Sequence, residues 1–507
     1  MMPEFAAAEV SAVSGIGQDS VRTVPRSRSY LWARFLFLRA LGLIFFSAFY
    51  SFAFQIHGLI GERGILPATE YLGDVHRVLG GVRQGWYAPT VLWLGSGDGA
   101  LTAVVVAGIV CSLLLVANVW PQVAIASCTL LFLSCIAVLQ DFSSYQSDGM
   151  LLEAGFLSIF LAPRGIWPKL GVRDPPRWAS LFMLRWEWFR IYFESGIVKL
   201  ASGDPHWRDF TAMDEYYQNG PLPTWIGWYV QHLPHWYHAA TVGFTLVVEL
   251  LLVWAVFLPR PFRLVCAAVV TALQIGIIAT ANYAFLNYLV LVSGVLLVDD
   301  AVFARVRFPM PAPGAVAPPE SRWRALAPRL EIAVLAVLFY TTIVAFFDRG
   351  AGSLATAPSR LLAPFRIANA YGLFAVMTEA RYEIEFQGSR DGVTWTPYPF
   401  RYKPQDPNER PGIYAPYQPR FEWNLWFASL GPWQESPWVI RAQQRLVEGS
   451  PSVLRLFRSD PFHGRPPALV RTVRYQYWFT DLATKRRTGA WWRRRELGAF
   501  TGVVGRR

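Results

Sequence analysis

Residues 183–200, MLRWEWFRIYFESGIVKL, place Arg185, Glu187, Arg190, Glu194 and Lys199 inside one apolar, aromatic stretch. Such groups can move protons, hold ions or pair with one another. In a bilayer each costs about 2.5–3.5 kcal/mol on insertion scales, so they pair, face a bundle interior or line a wet cavity. On a helix turning about 100° per residue, Glu187, Arg190 and Glu194 fall within about 60° of one another, and Arg185 and Lys199 point to the opposite side. Acid, base and acid on one face describe a self-neutralising cluster. It reads either as a proton, ion or substrate site, or as an intrahelical ladder (Glu187–Arg190 and Arg190–Glu194) that also ties neighbouring helices together. Buried polar networks commonly serve packing and specificity alone, which favours the ladder. Glu153, in DGMLLEAGF, could pair with Arg185 or Lys199, and Glu249 is a further candidate partner.

Directly after this stretch, GDPHWRDFTAMDEYYQNGPLPT gathers Asp204, His206, Trp207, Arg208 and Asp209. Its spacing matches no metal-ligand set, so a structured loop is the expectation and no metal is. Lys485-Arg486-Arg487 and Trp491-Trp492-Arg493-Arg494-Arg495 mix bases with aromatics. That pattern could serve nucleic acid, anionic headgroups, an acidic client or a plain solvated rim. There is no Walker A, G-x-S-x-G or H-E-x-x-H motif, and Gly95-Ser96-Gly97-Asp98-Gly99 is a turn between apolar runs.

The elements that must position these groups belong to a membrane. The chain of 507 residues is 53% hydrophobic and 16% charged, with mean hydropathy +0.27; soluble domains average about 25% charged. About nine spans are expected, over residues 35–54, 99–117, 120–139, 149–163, 179–200, 237–258, 264–281, 284–298 and 330–347. With the N-terminus inside, the inner loops carry Arg164, Lys169, Arg173 and Arg177, then Arg260 and Arg263, then Arg305, Arg307, Arg322, Arg324 and Arg329. The outer loop 202–235 has only Arg208 against Asp204, Asp209, Asp214 and Glu215, whereas Arg63, Arg77 and Arg83 make the first outer loop an exception. Positive-inside bias then places the C-terminal third outside the cytoplasm, given an odd number of spans. Residues 1–30 read as a disordered tail and residues 31–347 as the membrane domain, with a Pro/Ala-rich linker at 299–329.

Residues 348–507 hold 24 Lys/Arg against 13 Asp/Glu and form a separate, basic, aromatic-rich region. RYEIEFQG alternates as a half-buried strand, Ser389-Arg390-Asp391-Gly392 supplies a turn, and Val393-Thr394-Trp395 begins a return strand. Ser436-Pro437 and Ser450-Pro451 read as N-cap and N1 pairs opening short helices, and a late strand spans about 468–480. The expectation is an α+β domain with antiparallel pairing. Its tryptophans exceed the needs of its core, so some are expected on a binding surface or at the bilayer interface. All four cysteines, Cys111, Cys128, Cys135 and Cys266, lie in apolar runs, and no C-x-x-C or N-x-S/T occurs.

Long runs in order across both regions carry a resemblance. They are QIHGLIGERGILPA (55–68), DFSSYQSDGMLLEAGFLSIFLAP (141–163), RWEWFRIYFESGIVKLASGDPHWRDFTAMDEYYQNGPLPT (185–224), ANYAFLNYL (281–289), FQGSRDGVTWTPYPFRYKP (386–404) and PYQPRFEWNLWFASL (416–430). The chain resembles the lipase maturation factor family over most of residues 30–500. The resemblance implies a multi-pass membrane protein that helps secreted lipases fold or assemble. In animals it resides in the endoplasmic reticulum membrane with its C-terminal domain facing the lumen. The resemblance brings no catalytic residues with it. Without an extracytoplasmic cysteine pair, holding or assembling a client is expected rather than disulfide exchange. The Ala/Arg-rich composition and missing sequons point to a bacterial source, where the plasma membrane would be the site. The membrane half is also distantly similar to vitamin K-dependent carboxylase-type helical domains.

The resulting expectation is a polytopic helical bundle followed by an extracytoplasmic α+β domain, acting as a non-enzymatic maturation factor. Its partners would be membrane lipid and an exported client, a lipase by resemblance, with no nucleic acid and no cofactor. Trp395, Arg401, Arg420, Trp423 and Trp426 are the candidate client contacts, Trp423 or Trp426 supplying the anchor. The alternatives are an intramembrane enzyme working through the charged fifth span and, with less support, a transporter.

Overall fold

A computed structural model of the chain describes residues 29–143, 145–309, 322–347 and 354–506. Most of the expected N-terminal tail and residues 310–321 of the expected linker lie outside the described residues.

The principal helices are α1 (Leu31–Ile60), α2 (Asp98–Val116), α3 (Pro121–Ile136), α4 (Gln146–Leu161), α5 (Trp178–Ala201), α6 (His235–Leu250), α7 (Arg260–Thr280), α8 (Leu286–Gly294) and α9 (Arg322–Phe347). Each expected span falls largely within one of them. Five segments are long and apolar enough to cross a membrane: Leu31–Ile60, Asp98–Val116, His235–Phe257, Arg260–Thr280 and Leu326–Phe347. Helices α3 and α8 are apolar but shorter. Helix α4 has 16 residues, and α5 is diluted by its ionisable groups.

Helix α1 is the bundle's axis. Its Phe45, Phe49 and Phe52 surround Phe132 of α3, with ring centroids 5.9 Å apart in each case. Gly108 of α2 lies against the Phe49 ring where a Cβ would overlap it, so a side chain there would push the helices apart. The start of α1 is capped from afar, the Asp300 carboxylate accepting from the Leu31 and Trp32 amides at 2.9 Å each. Arg34 donates to the carbonyls of Leu170 and Asp174 at the same end, and Arg177 pairs with Glu331 there. The basic loops of the charge argument therefore gather at one end of the bundle.

At the opposite end sits an antiparallel sheet of β1 (Arg381–Ser389), β2 (Thr396–Pro397), β3 (Leu469–Phe479) and β4 (Trp492–Gly505), in the order β2-β1-β3-β4. Two helices, α10 (Arg420–Ser429) and α11 (Trp438–Val447), pack beside it. The sequence shows no sign of strand β4, and the return strand is Thr396–Pro397, after Val393-Thr394-Trp395, which are not strand. Strand β1 is buried on both faces rather than half-buried. Its charged face is internally satisfied: Lys403 donates to Glu383 at 2.6 Å, and Gln405 to Glu385 at 3.1 Å. Pro437 is the residue before α11, one position later than the N-cap expected there.

Candidate functional site

Of the expected intrahelical ladder only the Arg190–Glu194 rung is present, and it is the longer of Arg190's contacts; among the described residues Glu187 makes no ion pair with Arg190. Arg190, 1% exposed, pairs with Glu153 of α4 and donates to the Asn369 carbonyl at 2.5 Å, while Glu194 on its own helix is 3.9 Å away. Glu153 therefore serves Arg190, not Arg185 or Lys199. Its second oxygen accepts from the Asn369 amide and side chain at 3.0 Å each and from the Tyr371 hydroxyl at 2.8 Å. Glu194 accepts from the Tyr371 amide at 2.7 Å, and Ser195 from the Leu373 amide at 3.1 Å. Glu187 is buried, and its Oε1 has no hydrogen-bond partner among the described residues.

These contacts describe a rail and a strap. Residues 366–378, mostly without regular secondary structure, run from the helical region to β1. Buried carboxylates are costly unless paired and hydrogen-bonded. Here the strap's amides supply the bonds that α4 and α5 cannot make for themselves, and the carboxylates give the strap's backbone its partners. Arg185 is separate: it donates to the Leu296 carbonyl at 2.7 Å and lies over the Tyr30 ring. Lys199 is separate too, its ammonium 2.8 Å from both Glu249 oxygens.

The loop after α5 continues the fastening. Asp204 accepts from the His206 amide at 3.0 Å and from the Met377 amide at 2.6 Å. Trp207 is buried and donates to the Phe374 carbonyl at 3.0 Å. Arg208 closes back on the Leu200 carbonyl at 2.9 Å, and Asp209 is exposed. Among the described residues no three His, Cys, Asp or Glu side chains converge as metal ligands.

The remaining matched runs meet at the same junction. Arg420 and Asp148, both fully buried, form a two-point ion pair at 2.6 and 2.8 Å. The Tyr145 hydroxyl donates to Asn424 at 2.8 Å, and Gln55 donates to the Gln418 carbonyl at 2.9 Å. Asn282 accepts from the Tyr414 amide at 2.7 Å. Arg381 reaches back to the Gln218, Gly220 and Pro221 carbonyls of the outer loop. Glu422 accepts from the Arg401, Tyr402 and Lys403 amides at 2.7–2.9 Å. Burial pushes its carboxyl up to about 7 despite those three donors.

Three of the five residues expected to touch a client are interior. Arg420, Trp423 and Trp426 are at most 8% exposed, held between bundle and sheet, which removes them from any surface in this structure. Most of the unexplained tryptophans fill this junction: Trp438, Trp491 and Trp492 are buried, and Trp228 from the outer loop packs on Trp491. Arg401 is exposed, and half-buried Trp395 stacks under Arg471. The accessible basic and aromatic surface is elsewhere on the sheet. Arg493 and Arg495 flank the Trp478 ring at 5.0 and 5.7 Å, and Arg474 lies over Tyr382 at 4.1 Å. The sequence flagged the arginines, but not the strand that spaces them.

Comparison with known proteins gives the same two regions. The family model for the lipase maturation factor transmembrane domain matches residues 32–305, and that for the lipase maturation factor C-terminal domain matches residues 367–502. The chain is 32% identical to lipase maturation factor 1 of Bos taurus over 97% of its own length and 92% of the relative's. It is 31% identical to Homo sapiens lipase maturation factor 2, over 92% and 82%. Human lipase maturation factor 1 is 30% identical, over 92% and 87%. No solved structure matches.

Proposed function

The chain belongs to the lipase maturation factor family, and on that premise we propose that it is a membrane-bound maturation factor for exported lipases, working through a C-terminal domain held outside the cytoplasm. The observation that carries the client is the relatives' shared name over nearly the whole chain. The placement is supported by charge. The loops bearing Arg164, Lys169, Arg173, Arg177, Arg260 and Arg263 lie at the end of the bundle away from the sheet, as positive-inside insertion requires. In this reading the chain crosses the membrane an odd number of times, α8 being too short to span by itself; the membrane is that of the endoplasmic reticulum in an animal cell and the plasma membrane in a bacterium.

The domain layout follows the same reading, with a membrane domain to residue 347 and the client-facing region after it. Glu153, Arg190 and Glu194 fix the strap and so the attitude of the sheet. They perform no acid–base step, because the strap occupies them. Asp204 and Trp207 extend that anchorage, while the client meets the exposed arginines around Trp478; Trp395, against Arg471, and the exposed Arg401 are separate further contacts. Aromatic and arginine side chains together suit the contact centre of a protein interface.

The test is the double substitution Arg493→Glu and Arg495→Glu in cells co-expressing a dependent lipase. Secreted lipase activity should fall at least five-fold with the membrane protein's level unchanged. Unaltered secreted activity would remove this surface from the account.

A further inference from the structure

A cavity of about 290 Å³ lies between α5, α6, α7 and α8. This is the lower edge of the range for small-molecule sites, about 300–1,000 Å³. Two of the strap contacts described above border it, Ser195 with the Leu373 amide and Trp207 with the Phe374 carbonyl. Its walls are largely apolar and aromatic: Ile191, Tyr217, Phe244, Leu273, Ile277 and Val290. Trp207 and Phe374 also line it, so the outer loop and the strap close it on the side of the C-terminal domain.

The deepest of its polar groups are buried and committed to one another. The Lys199 ammonium is neutralised in two-point fashion by Glu249. Gln274 donates to the Tyr192 hydroxyl at 2.7 Å, and Asn287 donates to Gln274 Oε1 at 2.7 Å. The hydroxyls of Tyr217, Tyr237 and Thr245 also line the cavity, and one amide oxygen is left over beside the committed set. Asn287 Oδ1, on a residue 6% exposed, accepts nothing among the described residues. A buried amide oxygen without a donor costs about 1–3 kcal/mol; this one is enclosed, so a ligand hydroxyl reaches it by a turn of the Asn287 side chain at the cavity wall.

The way in is sideways. Thr241 and Phe244 of α6 face Gly276 and Ile277 of α7 across the cavity, and Phe244 and Gly276 are exposed. Both helices belong to segments apolar enough to cross a membrane, so a gap between them opens on lipid rather than on water. A Cβ added at Gly276 would meet nothing within 4 Å, which puts that position at the mouth.

We propose that this cavity is a binding site for a neutral membrane lipid bearing a free hydroxyl, of the glyceride or lipid-alcohol class. It enters between α6 and α7, lays an apolar tail along the aromatic walls and donates its hydroxyl to Asn287 Oδ1. The headgroup is neutral because Lys199 and Glu249 already cancel each other, leaving a charged headgroup no counter-ion. The site is independent of the client surface and stands or falls without it.

The test uses the full chain in phosphatidylcholine nanodiscs with a monoacylglycerol carrying a diazirine in its acyl chain. Irradiation should label α6 and α7 peptides saturably, and unlabelled monooleoylglycerol should compete. Its dimethyl ether, which cannot donate, should compete about three- to ten-fold less well, the worth of one hydrogen bond. Gly276→Leu should cut labelling at least five-fold and Gly276→Ala should not. Thr241→Phe, on the facing wall, is the second blocking variant if the leucine chain fails to accumulate. Labelling that does not saturate, that is unchanged by a well-folded blocking variant, or that the ether displaces as well as the alcohol overturns the proposal.

Discussion

Replacing Arg190 by Met removes the one cation that the Glu153 and Glu194 carboxyls share. Its guanidinium is 1% exposed, pairs with Glu153 and donates to the Asn369 carbonyl. Breaking a buried pair on one side costs about 3–5 kcal/mol, because the remaining charge stays buried without its partner. The strap's carbonyl loses a charge-assisted bond in the same step. At 1.4 kcal/mol per factor of ten, the strap's opening equilibrium should rise by about 100-fold or more. Glu194→Gln is the matched contrast. The glutamine oxygen can still accept from the Tyr371 amide, so the cost should stay within about 1 kcal/mol and the change in opening below about ten-fold. Hydrogen exchange at the Tyr371 and Leu373 amides reads both. Loss of lipase maturation should track loss of protection, large in the first variant and small in the second. Two results refute the reasoning: unchanged protection in Arg190→Met, or abolished maturation in Glu194→Gln with protection and protein level intact. The second would return α5 to acid–base chemistry.

Two further outcomes follow from the junction. Asp148→Asn should lower stability in detergent by about 3–5 kcal/mol, and the double change Asp148→Leu with Arg420→Met should recover at least half of that; additive losses in the double variant would contradict a coupled pair. Glu422 titrates at about 7 when folded against 4.5 ordinarily. A raised carboxyl stabilises below the ordinary value and loses that contribution as pH rises through the folded one, up to about 3 kcal/mol. Protection of the Arg401, Tyr402 and Lys403 amides, corrected for intrinsic exchange, should therefore fall between pH 5 and pH 8; protection that rises over that interval would contradict it.

The helices were legible because apolar runs of membrane length have few alternative structures. The partners were not. Arg190 was visible as a buried charge, but Glu153, Asn369 and Tyr371 lie 37 to 218 residues from the groups they meet, and nothing in local spacing encodes such pairings. Strand β4 escaped because an edge strand carrying Arg493 and Arg495 on one face and Arg494 and Glu496 on the other shows little apolar alternation. Strand β1 misled in the other direction: its charged face looked solvated but is buried, satisfied by Lys403, Gln405 and Arg494. The helix RFEWNLWFAS looked like an interface and is one, although an internal interface between bundle and sheet. A signal was present in its Arg420, an isolated cation among aromatics, matched by Asp148 in the apolar start of α4.

The central claim is that the sheet end of the molecule, outside the cytoplasm, receives a lipase. A photo-crosslinking residue at Trp478, with a second chain carrying it at Arg305 at the other end of the bundle, tests this in cells secreting a dependent lipase. Capture of newly made lipase from position 478 and none from 305 is the predicted result. Capture from 305, or none from 478 while the lipase matures normally, would contradict the account.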